Sequence, residues 1–421
     1  MSDQPQAAPL PALSAEDQKH YDDLLRWLDL KLDPGDDAGA DEDEPPRKRR
    51  KCNSSTWEED SAPYDAIRAA RYFKRAIHAH LIISLIFSYG AQAVWTDKTI
   101  SAQEQRAPYV AAFKEFLRRV PELDRVLRHM YASSKRHWRG FVEKFDELAK
   151  DVRSNDTTAI KAITGTLLLP NPEKDVLDPP ISGRVAKSDR GFGHPILRLL
   201  LMGVPDRMCF VPTHYRSRPA PAEDLRTEEQ RARETEIMRL IATHQYTRHQ
   251  QQYPSFLYAD DSFTEDDPRI GLCRGDFVIR LLRHVWTTPR SALRGLGGKS
   301  LPPDSNARIQ EAEKVTAPMV GYVVSQGYVA LLPGDWDKVD DKDSLYDRIL
   351  DLFASSPLWA KRTLKFLTKE VFGDSTRVQD GNDEENRDDA SPEQNHVARM
   401  AELARLEREA AAAGDDDDDE D

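Results

Sequence analysis

Cysteine is scarce in this chain: Cys52, Cys209 and Cys273 are the only three in 421 residues, far apart and without a Cys-x-x-Cys pair. That excludes a disulfide framework and a thiolate zinc site, and it suits a reducing compartment. Long apolar runs are lacking as well. The most apolar stretch, Leu81-Ile82-Ile83-Ser84-Leu85-Ile86-Phe87, falls far short of the ~20 residues that span a bilayer. It reads as part of a buried helix, so no membrane contact is expected. The start, Met1-Ser2-Asp3-Gln4-Pro5, has neither the cations nor the apolar core of a secretory signal. A soluble intracellular protein is the expectation. With 39% hydrophobic and 32% charged residues, the chain has too little apolar material to be globular throughout.

Charge is present in blocks. Residues 374–421 hold 18 acids and 5 bases, a net of −13, which equals that of the whole chain. The first 44 residues hold 13 acids and 3 bases. Between these tails the body is slightly basic. The sharpest feature is Pro45-Pro46-Arg47-Lys48-Arg49-Arg50-Lys51, five consecutive cations that follow two prolines. Proline holds such a segment extended, and free cationic side chains suit a receptor lined with carboxylates. This run points to an import receptor and to the nucleus, with or without a cytoplasmic pool.

The helical period of 3.6 dominates what remains. Residues 1–62 are expected to be a disordered acidic tail containing one short amphipathic helix over 15–32, on which Tyr21, Leu24, Leu25 and Leu28 share a face with Trp27 beside them. That helix could dock in a partner's groove, pack back on its own domain or remain only nascent. The body, 63–373, is expected to be mainly α, a single irregular multi-helix domain. Its predicted helices cover Asp65–Gln92, two segments broken near Pro121, a stretch from Trp138 to Leu148, Thr158–Leu168, Glu228–Gln252, Phe277–Val285, Ala317–Leu332, Leu345–Phe353 and Leu358–Phe372. Residues 374–421 form a second disordered acidic tail with a short solvated helix near 391–413.

Seven pieces in order carry a resemblance. They are Phe116-Leu117-Arg118-Arg119-Val120-Pro121; Arg190-Gly191-Phe192 with His194; Pro254-Ser255-Phe256-Leu257-Tyr258; Asp267-Pro268 with Gly271-Leu272; Thr288-Pro289-Arg290-Ser291-Ala292; Trp336; and Val371-Phe372-Gly373. Over residues 108–373 the chain resembles a domain of unknown function found in mushroom-forming fungi. Tyr253 stands where a tryptophan is expected, and residues 212–250 are longer and more basic than usual. The resemblance implies a mostly helical body and a fungal (basidiomycete) source, and no catalytic residues.

Chemistry was sought at each remaining cluster. Gly295-Leu296-Gly297-Gly298-Lys299-Ser300 lacks the glycine spacing and preceding strand of a phosphate loop. Gly191-Phe192-Gly193 lacks the third glycine of a dinucleotide fingerprint and reads as a turn. Asp260, Asp261, Asp266 and Asp267 do not have calcium-loop spacing and read as a turn before a helix. His78 and His80 fall on different helix faces, and His244 and His249, five apart, are no better placed to share a metal. No metalloprotease, serine-hydrolase or kinase signature occurs. No catalytic, metal or cofactor site is assigned.

Arg125, Arg128, Lys135, Arg136 and Arg139, interleaved with Trp138, could touch nucleic acid, cations on phosphates and aromatics on bases. The simpler reading, and the one preferred, is an ordinary solvated helical face with Trp138 buried in the core. Three functions are therefore carried forward: a non-enzymatic nuclear protein making protein or basic-chromatin-protein contacts, a nucleic-acid-binding module, and an uncharacterised hydrolase or nuclease around the aspartates.

Overall fold

The computed structural model describes residues 13–28, 57–58, 61–96, 107–172, 174–181, 189–210, 226–248, 252–259, 263–264, 267–297, 300–334, 336 and 342–373. The Arg47–Lys51 run, Cys52 and all of 374–421 lie outside the described residues. Among the described residues there are fifteen α-helices and no strand, only two isolated antiparallel bridges, Gly203 with Pro254 and Tyr258 with Leu272. The fold is mainly α, as the periodicity predicts.

Contacts divide the chain into two compact units, Met1–Asn155 and Asp156–Asp421, where the sequence reading drew one body over 63–373. The boundary falls inside the 33-residue helix Lys135–Leu167.

The first unit contains α1 (Ala15–Trp27), α2 (Ala62–Tyr72), α3 (Ile83–Trp95), α4 (Ala107–Arg119), α5 (Asp124–Ser133) and the first part of α6 (Lys135–Leu167). Aromatic residues make its core. Phe87 is fully buried and its ring meets those of Phe113, Phe116, Trp138, Phe141 and Phe145 at 5.0–5.8 Å between centroids. Edge-on and tilted pairs at such distances add to the area term.

Asp65–Gln92 is not one helix. A π-turn, Phe73–Ile77, follows α2, and His78 then adopts extended backbone at φ −161°, ψ 124°. Its Nδ1 accepts the N–H groups of His80 and Leu81, each at 3.2 Å, so a side chain takes over donors that a continuous helix would send to carbonyls. Ile82, placed on the apolar face by periodicity, is instead 56% exposed at this break. Further on, two segments expected to be separate join: Lys135–Leu167 is continuous.

The second unit contains α7 (Pro195–Leu201), α8 (Val204–Arg207), α9 (Glu228–Ala242), α10 (Asp276–Trp286), α11 (Pro289–Arg294), α12 (Asn306–Ile309), α13 (Ala317–Leu331), α14 (Lys342–Ser355) and α15 (Pro357–Phe372). At its centre is α13, buried from Met319 to Leu331 on all faces and packed against α10 and α14. Gly321 makes this approach feasible, since a Cβ there would lie 2.8 Å from the Tyr346 ring. A second, smaller core of Leu199, Met202, Cys209, Phe210 and Ile237 joins α7 to α9.

Candidate functional site

Of the residues singled out from sequence, the helix at 15–27 and the basic patch at 125–139 come together. Ser14 caps α1: its hydroxyl accepts the Asp17 N–H, and the Asp17 carboxylate accepts in return from Ser14, a capping box. The same carboxylate takes the Arg125 guanidinium at 3.0 Å. Ser14 first, then Arg125, hold the Asp17 carboxyl below the usual range. Tyr21 shares a 2.8 Å hydrogen bond with His137 Nδ1 and stands edge-on to His129 at 5.5 Å. Burial raises the Tyr21 pKa, so it remains a neutral phenol.

Leu24, Leu25 and Trp27 are 0%, 1% and 2% exposed, against α2 and α5, with the Phe141 ring 6.2 Å from Trp27. Leu28 is the C-cap residue. The apolar face of α1 is thus covered by its own chain.

The basic patch is largely engaged. Arg125 is held by Asp17, and Arg139 pairs with Glu143 at 2.9 Å. Arg128 points a guanidinium N–H toward the Trp95 carbonyl at 3.4 Å. Trp138 is half-buried and lies among Phe87, Trp95, Tyr131 and Phe141, centroids 5.3–6.1 Å away, so its ring is engaged in the aromatic core. Lys135 and Arg136, in the first turn of α6, are exposed.

The break after α2 brings Lys74 and His78 together. Lys74 donates to the Leu81 carbonyl at 2.7 Å, and burial lowers its pKa to about 8. Burial likewise pushes His78 down to about 3. Native His78 therefore stays neutral where the unfolded imidazole, ordinarily near pKa ~6.5, takes a proton. Its contribution is fully present above about pH 6.5 and is lost as pH falls, by up to ~1.4 kcal/mol per pH unit. Urea midpoints measured between pH 7.5 and 5 should fall more steeply for the wild type than for His78→Gln; parallel curves would contradict this.

The quoted motif pieces of the second unit serve the chain itself. Arg190 donates to the carbonyls of Ala330 and Lys161. His194 caps α7, its Nδ1 accepting the Ile196 and Leu197 N–H groups, while Nε2 lies 2.8 Å from the Pro179 carbonyl and so carries the proton. Ser255 donates its hydroxyl to Leu199 and its N–H to Met202. The same piece pairs with the one at Gly271-Leu272: the Ala259 N–H donates to Gly271 and the Gly275 N–H to Leu257. Thr288 and Ser291 form a capping box, and Gly373, at φ +77°, closes α15.

Asp267 grips Arg269, while Asp260, Asp261 and Asp266 lie outside the described residues, as do Gly298 and Lys299. Burial pushes the Cys273 thiol up to about 12, which removes its nucleophilic form at neutral pH. Among the described residues no three His, Cys, Asp or Glu side chains converge as metal ligands, and no helix is long and apolar enough to cross a membrane.

A family model described as a family of unknown function (DUF6698) matches residues 147–372. The chain belongs to this family. The DUF6698 span begins inside α6, close to the boundary between the two units, and takes in five of the seven quoted pieces whole and all but Gly373 of a sixth. Phe116–Pro121 falls outside it, so the resemblance expected from residue 108 is shown from 147. No curated protein and no solved structure matches the chain.

Sequence reasoning missed the ties Asp17–Arg125 and Tyr21–His137. The first had a signal: Ser14-Ala15-Glu16-Asp17 ahead of an apolar face is a capping-box pattern that fixes where α1 starts. The second is a contact across 116 positions, which no local pattern encodes.

Proposed function

We propose that this DUF6698 protein, from a mushroom-forming fungus, is a non-enzymatic nuclear protein that acts through protein contacts. One observation carries the reading: the polar side chains of the quoted motifs, Arg190, His194, Ser255, Asp267, Thr288 and Ser291, are spent on the chain's own caps, turns and carbonyls. What the chain offers a partner is surface and helix, with the slightly basic body suited to acidic protein segments and the acidic tails to basic chromatin proteins.

The address is Arg47–Lys51. In a fusion large enough to be excluded from passive passage (the chain alone is 47.9 kDa), Lys48→Ala with Arg49→Ala and Arg50→Ala should abolish nuclear enrichment. Undiminished enrichment would remove the address.

A second reading, contact with nucleic acid, has one observation in its favour: Lys135 and Arg136 are exposed where α6 begins, and helix dipole and cations there both attract phosphate. The engagement of Arg125, Arg139 and Trp138 weighs against it. Arg136→Glu should change binding to DNA or RNA less than twofold at ~0.15 M salt; a tenfold loss would revive this second reading.

A further inference from the structure

Resting on the reading as a protein-contact module, we infer that α1 is a displaceable helix, and that the groove it fills on α2, α5 and the start of α6 docks an amphipathic helix of a protein partner with an acidic first turn. The groove is a built one. Its apolar floor takes Leu24, Leu25 and Trp27, Arg125 at one end takes a carboxylate at 3.0 Å, and the Lys144 ammonium lies 6.0 Å from the Trp27 ring. That chemistry specifies the visitor: leucines at adjacent inward positions, a bulky apolar residue two beyond, and Asp or Glu near its N-terminus.

Three features make α1 a replaceable tenant. It is 13 residues long, too short to hold helical form unaided. Residues 28–61, 34 positions of chain, separate it from α2 in sequence. And its fit is imperfect: the Trp27 indole N–H is buried with no acceptor, as is His129 Nδ1 opposite Tyr21.

The magnitudes favour exchange only for the right visitor. A connection of 34 residues holds α1 at an effective concentration of about 1 mM, so a helix of equal affinity would need about that concentration. A helix that does not bury an unpaired N–H gains roughly 5- to 100-fold, bringing exchange to about 10–200 µM. Additional turns beyond the length of α1 would lower this further.

Two measurements on the full chain test the inference. In hydrogen exchange on the wild type, α1 amides should exchange at least tenfold faster than those of α5. A fluorescein-labelled peptide of residues 13–28 should bind the full chain carrying Leu24→Asp and Leu25→Asp, whose own α1 cannot seat, at least tenfold more tightly than it binds the wild type. The same peptide with Asp17→Lys should bind more weakly.

Exchange of α1 no faster than α5 would overturn displacement, and would do so even where the double variant fails to fold. A peptide that ignores a double variant with native α5 protection would overturn the groove. Concentration-dependent dimerisation of the wild type, abolished by the double variant, would reassign the visitor to a second copy and overturn the partner. None of these results depends on whether the chain captures proteins in its own cells, so this inference and the function it rests on fail separately.

Discussion

Replacing Gly275 with alanine should destabilise the Asp156–Asp421 unit by about 3 kcal/mol and lower its melting temperature by about 10 °C. The backbone itself is not the obstacle, because φ is −60° at this N-cap. The obstacle is space: a Cβ would stand 2.5 Å from the Phe256 carbonyl oxygen and 2.8 Å from that of Tyr258. Both are backbone atoms and cannot swing aside. Relief requires lifting α10 away from residues 254–259, which breaks the Gly275–Leu257 and Ala259–Gly271 hydrogen bonds. It also loosens the packing of Phe277, Val278, Leu281, Leu282, Val285 and Trp286, all buried along α10. Gly193→Ala is the matched control, since nothing lies within 4 Å of its added carbon; its change should stay within ~0.5 kcal/mol. Thermal denaturation of the three full chains decides it, and equal melting temperatures would contradict a structural role for this pairing of motif pieces.

Trp138→Ala should cost about 3 kcal/mol in the other unit. The indole is partly buried and contacts four other aromatic rings, so its loss leaves a void bordered by rigid groups. If Trp138 instead served to stack on bases, its removal would spare folding and reduce nucleic-acid affinity. The two roles separate in a urea titration followed by tryptophan fluorescence and near-ultraviolet circular dichroism. A midpoint unchanged within error, together with weaker binding to single-stranded DNA, would reverse the assignment made here.

The helical class was legible because segments such as Phe277–Val285 repeat apolar residues with a helical period, and because Ala317–Leu332, apolar throughout and readable as helix or strand, is long enough to favour helix. The π-turn was not legible. It depends on His78 turning its ring back onto the N–H groups of His80 and Leu81, a competition between side chain and carbonyl that leaves the hydrophobic pattern of 65–92 unbroken. The opposite error, dividing α6, came from the polar run Arg153–Asp156, which interrupts the apolar pattern although the helix continues through it.

The candidate site was half legible. Tyr21, Leu24, Leu25 and Leu28 were recognisable as one face with Trp27 beside it, and the 125–139 cations as a cluster, although it is Trp27 and not Leu28 that is fully buried. That Arg125 of this cluster holds Asp17 at the start of the same helix could not be read, because the contact spans 108 positions of chain. The motif pieces were recognisable as positions without a visible task. Their task is backbone satisfaction: caps at His194 and Thr288, and a pairing of Tyr258 with Leu272 that depends on a bare Gly275.

The central claim is that this protein works through protein contacts. Its most direct test is a pull-down of the full chain from its own cells, washed at moderate salt with and without prior nuclease digestion. The account predicts a discrete set of proteins whose recovery is unchanged by nuclease. Recovery that collapses on digestion would show that nucleic acid holds the assembly together, and would contradict the account.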